Sequence, residues 1–223
     1  MTLKPIDLGN QRAPRVRIWR GQPLHPLEEV RMFFHDQGPV PETFRRLRER
    51  LSAAGIPHIF MGATAVNVHG YRRSTEDIDV CMTRASLERF RSEFVGRVYQ
   101  QVEGRTRRFH DPDTQVTIDI LVAGEIAGDS RRQQRIRFPD SSEAELVQGT
   151  PVPTLVRLIE LKLVTWRYKD WADVVELIRG HDLNESFADR VDPIVRMAYL
   201  QCLDQKREED RYNPEIHDAP PEG

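Results

Sequence analysis

Cysteine is scarce. Cys81 and Cys202 are the whole complement, far apart and in no CxxC pair, which argues against a disulfide scaffold and against a cysteine-based zinc site. Long apolar runs are missing too: none approaches the ~18 residues that a membrane span needs, and residues 1–15 hold no apolar stretch that would serve as a secretory signal. The expectation is therefore a cytoplasmic protein with no membrane partner. Excess charge of one sign is also absent. Lys and Arg number 33 against 35 Asp and Glu, a formal charge of −2, which excludes a globally basic nucleic-acid binder but leaves room for a local basic groove. No internal repeat is visible. What is present is 223 residues, 39% hydrophobic and 30% charged, with a mean hydropathy of −0.58. At ~150 residues per domain that gives one large domain or two small ones around a packed core.

Residues 1–39 read as an extension with five prolines and little helical periodicity. Within it, residues 15–20 alternate as a short strand and residues 24–35 suggest a short helix. A clear helix begins near Pro41-Glu42, with Phe44, Leu47 and Leu51 on one apolar stripe, and stops at Gly55. Residues 56–61 form a strand ending at Gly62, and residues 63–69 a short helix. Asp77–Met82 forms a strand, followed by a helix over 86–94. Residues 106–110 and 116–122 form a hairpin about the turn residues Asp111 to Thr114. From Thr154 the chain turns helical over 154–166, 170–178 and about 185–205, and 206–223 should be a disordered tail. The expected order is α-β-α-β-α-β-β and then three helices: an α/β fold of the α+β type, with a small mixed sheet over about 40–150 and a helical segment over 151–205.

Asp77 and Asp79 lie at i and i+2 of one strand, so both carboxylates point the same way while Ile78 and Val80 face the core. Asp119 sits between Ile118 and Ile120 on another strand. If the two strands pair, three carboxylates converge. Three close anions repel, a divalent cation relieves the repulsion, and oxygen-only ligands favour Mg²⁺ or Mn²⁺ over zinc. Two such ions suit in-line displacement at phosphorus. The plainer alternative places the pair on the solvent face of an edge strand. Ahead of them, a strand ends at Gly62 and a helix starts at once, which offers backbone N–H groups to a phosphate.

Gly62-Ala63, thirteen intervening residues and Asp77-Ile78-Asp79-Val80, with Asp119 on a later strand, resemble the signature of the polymerase-β-type nucleotidyltransferase superfamily. His69-Gly70, Arg73, Thr75, Lys162 and Lys169-Asp170-Trp171-Ala172-Asp173 are similar to AbiEii-type minimal nucleotidyltransferases, which include toxins of toxin–antitoxin pairs. The resemblance spans roughly residues 41–180. It implies a nucleotidyltransferase fold with a C-terminal helical segment. It also implies transfer of NMP from an NTP to a hydroxyl acceptor in RNA, protein or a small molecule, and a cognate antitoxin as a partner. Metal would lie on Asp77, Asp79 and Asp119, which also carry the catalysis. The nucleotide would lie on Gly62, Ala63, Thr64, Arg73, Thr75, Lys162 and Lys169, with Arg73 and Thr75 either meeting the triphosphate or bracing the metal site. Ala63 stands where the family has Gly or Ser, and it leaves the backbone donors in place. Two other readings use the same fold: a catalytically silent nucleotide binder and a protein-interaction module.

The lesser residues carry structural readings beside functional ones. Lys162 shares a stripe with Leu155, Ile159 and Trp166, so it either snorkels or meets an anion. Asp170 suits an N-cap with Asp173 three residues on. Thr64 either meets phosphate or caps its helix. His69 reads as a packing histidine, and Tyr71 and Trp166 either stack on a base or fill the core. Arginine runs at 45–50, 105–108 and 131–137 are solvated faces or, near the active strands, an RNA groove.

Overall fold

A computed structural model describes residues 17–128 and 135–212. The chain opens with the hairpin β1 (Arg17–Trp19) and β2 (Gln22–Leu24), then α1 (Pro26–Phe34) and α2 (Pro39–Ala53). The described part of the expected extension is tied down. Arg17 reaches Glu29 (2.8 Å) and the carbonyl of Glu76 (3.2 Å), and Trp19 donates to Glu42 (3.2 Å). Residues 1–16 and the tail from 213 lie outside the described residues.

Helix α2 starts two residues earlier than expected, with Pro39 and Pro41 both in its first turn, where a missing N–H does no harm. Its stripe buries Leu47 and Leu51 completely, and Phe44 meets Phe60 edge-on at 4.8 Å. Gly55, at φ +59°, ends it. The N–H of Ile56 bonds the carbonyl of Leu51 (2.9 Å) and that of Gly55 bonds Ser52 (3.0 Å), a Schellman closure with buried Ile56 packed at the end.

Then follow β3 (Ile59–Phe60), α3 (Gly62–Val68), β4 (Asp77–Met82), α4 (Arg84–Phe94), β5 (Gln100–Gln101), β6 (Arg108–His110) and β7 (Thr117–Val122). One mixed five-stranded sheet runs β3-β4-β7-β6-β5, with β4 and β7 parallel and the other pairs antiparallel. Burial alternates along all of β7 and over the first four residues of β4, after which Cys81 and Met82 are both buried. Ile78, Val80, Ile118 and Ile120 are sealed in the core at 0–3% exposure, which commits their neighbours to the other face.

Beyond the sheet come β8 (Ala144–Val147), β9 (Thr150–Pro153), α5 (Leu155–Leu163), α6 (Tyr168–Gly180) and α7 (Pro193–Tyr212). The mixed α/β architecture with a helical C-terminal segment is as expected, but several local expectations fail. The β8–β9 hairpin was not anticipated, because Pro151 and Pro153 argue against a strand. Its Gln148-Gly149 turn, at φ +49° and +72°, is nevertheless a two-residue hairpin signal. Helix α5 stops at Leu163, and Trp166 sits at φ +56°, so Trp166 is not on the stripe of Lys162. Residues 185–189 form a separate 3-10 turn, because Pro193 lacks the N–H that would continue it into α7. The tail expected from Lys206 is instead helix as far as Tyr212. There Lys206 pairs with Asp210 (2.8 Å), and Arg179 of α6 reaches Glu209 (2.8 Å) and Asp210 (3.3 Å). Among the described residues no helix is long and apolar enough to cross a membrane.

Candidate active site

The register β4–β7 puts Asp79 beside Asp119 and Asp77 beside Thr117. All three carboxylates open into one cleft of about 310 Å³, walled on the far side by α5 and the start of α6. That is the size of a small-ligand pocket. Asp79 is the pressed member. Burial first, then the charges of Asp77 and Asp119, push its carboxyl up from 3.8 to about 6, against the pull of Lys162 and Arg167.

Gly62 brings the backbone onto this face. It holds φ +58°, and a Cβ there would lie 1.9 Å from the Oδ2 of Asp79. Only glycine fits, for reasons of conformation and of space. Gly62 and Ala63 line the cleft, and no side chain caps α3, whose N-cap is Met61. Thr64 therefore does not cap the helix, and it lies outside the cleft lining.

The other expected residues divide between places that match a structural reading and places that do not. Thr75 lines the cleft and donates to the Oδ1 of Asp77 (2.8 Å), so it orients a carboxylate. Arg73 forks onto Asp173 (2.6 and 2.9 Å) and braces α6. Lys162 is 6% exposed and donates to Asp170 (2.9 Å) and Asp173 (2.7 Å). Asp170 and Asp173 are therefore not a capping box: the N-cap is Arg167, with no side-chain capping bond. Both aspartates are turned inward because a buried lysine demands counter-charge. Burial opposes the Asp170 charge, but Lys162, Thr165 and Arg167 outweigh it and hold the carboxyl below its usual range. Lys169 is exposed at the rim. His69 bonds the carbonyl of Pro153 (2.8 Å) and pins α3 to β9. Tyr71 packs against the core, Trp166 lies 5.3 Å from Trp171, and neither lines the cleft.

The sequence reading missed how far Arg108 engages Asp119. Its guanidinium lies across the carboxylate, with Nε to Oδ1 at 2.6 Å and Nη2 to Oδ2 at 2.8 Å. That bond holds the Arg108 pKa above its ordinary value. The signal was available: counting outward from the turn at Asp113-Thr114 pairs 108 with 119. As they stand, no three His, Cys, Asp or Glu groups among the described residues are gathered closely enough to hold an ion; both Asp119 oxygens face Arg108. The donor chemistry itself, three carboxylates with one strongly destabilised as an anion, suits a hard divalent cation.

The arginines of α2 serve internal contacts. Arg46 bonds Asp111 (2.9 Å), Arg48 bonds Thr150 (3.2 Å) and Arg50 bonds Tyr99 (3.0 Å). Arg105, Arg107 and Arg108 line an open hollow that has Asp79 and Asp119 in its wall, with Arg107 matched by Glu125. Arg131 and Arg132 lie outside the described residues. A separate hollow of about 220 Å³ between α1 and α2 is lined by no Lys, Arg or His and lacks the carboxylate strands.

No protein-family model matches this chain, and no curated protein matches it. Two solved structures show slight likeness. One, from H. pylori and provisionally assigned as a nucleotidyltransferase, is 18% identical over 77% of this chain and 83% of its own, with a TM-score of 0.38. The other, JHP933 from Helicobacter pylori, is 19% identical over 64% of this chain and 70% of its own, with a TM-score of 0.37.

Proposed function

We propose that this chain is a metal-dependent nucleotidyltransferase that moves NMP from an NTP to a hydroxyl acceptor. The observation that carries the reading is the juxtaposition of Asp79 and Gly62. A carboxylate flanked by two others stands against a backbone turn that tolerates no side chain. Mg²⁺ or Mn²⁺ would be held by Asp77, Asp79 and Asp119, and when bound would neutralise the triphosphate and favour in-line displacement.

The chain's own groups supply the rest. Backbone N–H groups at Gly62 and Ala63 approach the phosphates, with Thr64 behind them. Lys162 has three donors, of which Asp170 and Asp173 take two, leaving one for an anion in the cleft. Lys169 at the rim adds a mobile charge. Thr75 fixes the Asp77 oxygen, and Arg73 holds α6 so that Lys162 stays in place. The hollow beside Asp119, with Arg105 on its wall, suits a phosphate-bearing acceptor such as RNA. A role as the toxin of a toxin–antitoxin pair, acting in the cytoplasm, fits this chemistry.

The test is label transfer from each α-labelled NTP with Mg²⁺, using total RNA and cell protein as acceptors and Asp79→Asn as control. Label moved by the wild type alone supports the reading, and equal transfer by the variant refutes it. The Arg108 fork on Asp119 favours one second reading, a silent nucleotide binder, which would bind NTP yet release no pyrophosphate.

A further inference from the structure

The three carboxylates of the cleft are compensated unequally. Asp79 carries the uncompensated charge, Asp77 accepts from a neutral hydroxyl, and Asp119 alone is covered by a full cation on both oxygens. The cover is not locked in place. The Arg108 side chain is 47% exposed, against 19% for Asp119, and a long side chain at that exposure can turn out to solvent from a fixed strand position. A guanidinium fork takes one lone pair on each Asp119 oxygen and sets a full positive charge against the carboxylate, so it competes with a divalent cation there through charge and space.

From this we infer that Arg108 is a displaceable internal counter-cation, which reserves Asp119 and releases it to a divalent cation. The inference rests on the reading of Asp77, Asp79 and Asp119 as metal ligands. Arg108 is then a positioning residue: it sets how readily the third carboxylate joins the other two. Once released, the guanidinium stays on the wall of the same cleft as Gly62 and Lys162, where an incoming polyphosphate would hold it away from Asp119. Metal and nucleotide would therefore bind more tightly together than apart.

The experiment is Mn²⁺ titration of the full chain without nucleotide, by calorimetry and by the paramagnetic signal of free Mn²⁺. It compares wild type, Arg108→Gln, Arg108→Lys and Arg105→Gln. Lysine keeps the charge but has no fork; Arg105 lines the same hollow without bonding Asp119. If the fork is the competitor, Arg108→Gln tightens Mn²⁺ binding by about fivefold, which is what the upper end of an exposed ion pair converts to. Arg108→Lys should then tighten it by more than roughly twofold, and Arg105→Gln by less than that. A structural loss would weaken binding rather than tighten it. Unchanged affinity in Arg108→Gln overturns the inference, as does an equal gain in Arg105→Gln with none in Arg108→Lys, since that pattern is a general field effect. If no protein binds Mn²⁺ while all melt cooperatively, the metal-site reading fails and takes the inference with it.

Discussion

Asp79→Asn should make the protein more stable, and by an amount that depends on pH. The folded state holds the Asp79 carboxyl at about 6 against an ordinary 3.8. The native protein therefore binds more protons than the unfolded chain between those values. Stability falls as pH rises through that window, and the full penalty applies above about pH 6. A rise of about two pH units at 1.36 kcal/mol each is worth about 3 kcal/mol. Asparagine has nearly the same shape and no charge, so it removes that penalty. Its amide must still find hydrogen bonds, which makes about 3 kcal/mol a ceiling. At a few degrees per kcal/mol for a chain of this size, the variant should melt roughly 5–10 °C higher at pH 7.5, without divalent cations. The gain should shrink to roughly a fifth of that near pH 4, just above the ordinary carboxyl value. Added Mg²⁺ or Mn²⁺ should raise the wild-type melting temperature at pH 7.5 and raise the variant's less. Thermal melts at half-unit steps from pH 4 to 7.5, with and without metal, decide the matter. A variant less stable than wild type at pH 7.5, or one with the same gain at pH 4, would refute the claim that crowded charge burdens this site.

Gly62→Ala and Gly55→Ala separate close approach from backbone conformation, since both glycines sit near φ +60° but only Gly62 has Asp79 in the way. Gly55→Ala should lose about 1 kcal/mol in urea unfolding and keep nucleotide affinity, whereas Gly62→Ala should lose about 1–3 kcal/mol and all label transfer. Lys162→Met strips the buried cation from Asp170 and Asp173; because Arg73 and Arg167 still face those aspartates, the loss in urea unfolding should fall at the low end of about 3–5 kcal/mol. Arg46→Ala leaves Asp111, 2% exposed, without its ion pair and should lower stability by about 2 kcal/mol while sparing nucleotide binding measured by titration.

The sequence makes the centre of the sheet legible because two independent patterns agree there. Alternation in Asp77–Val80 and Thr117–Val122 fixes which residues face the core, and it thereby fixes which carboxylates share the other face. The stripe of α2 and its closure at Gly55 are read from spacing and one glycine for the same reason. The misses are tertiary. Nothing local distinguishes Asp170 as a partner of Lys162 from Asp170 as an N-cap. Both place an aspartate in the first turn of α6, and only the burial of Lys162 decides between them. Strand β9 is hidden by its own prolines, which an edge position tolerates. The reach of Arg108 is legible only after the hairpin register is counted from its turn.

The distribution of charge explains why the buried ions cluster beside the cleft rather than deeper in the core. Lys162, Arg73, Asp170 and Asp173 form a nearly balanced group that fastens α5 and α6 to the segment before β4. Its charges compensate one another at short range, so burial is tolerable. The carboxylate face is not balanced in this way. Arg108 covers Asp119, but Lys162 and Arg167 act on Asp79 from a distance and do not offset burial and its two neighbours. Uncompensated negative charge is thus left at the one point where the backbone of Gly62 comes closest. A cation alone would satisfy the carboxylates, and an anion alone would satisfy the backbone donors. A metal-bound polyphosphate, the ligand of the proposed function, would satisfy both at once, with each half of it set against the half of the cleft that repels the other.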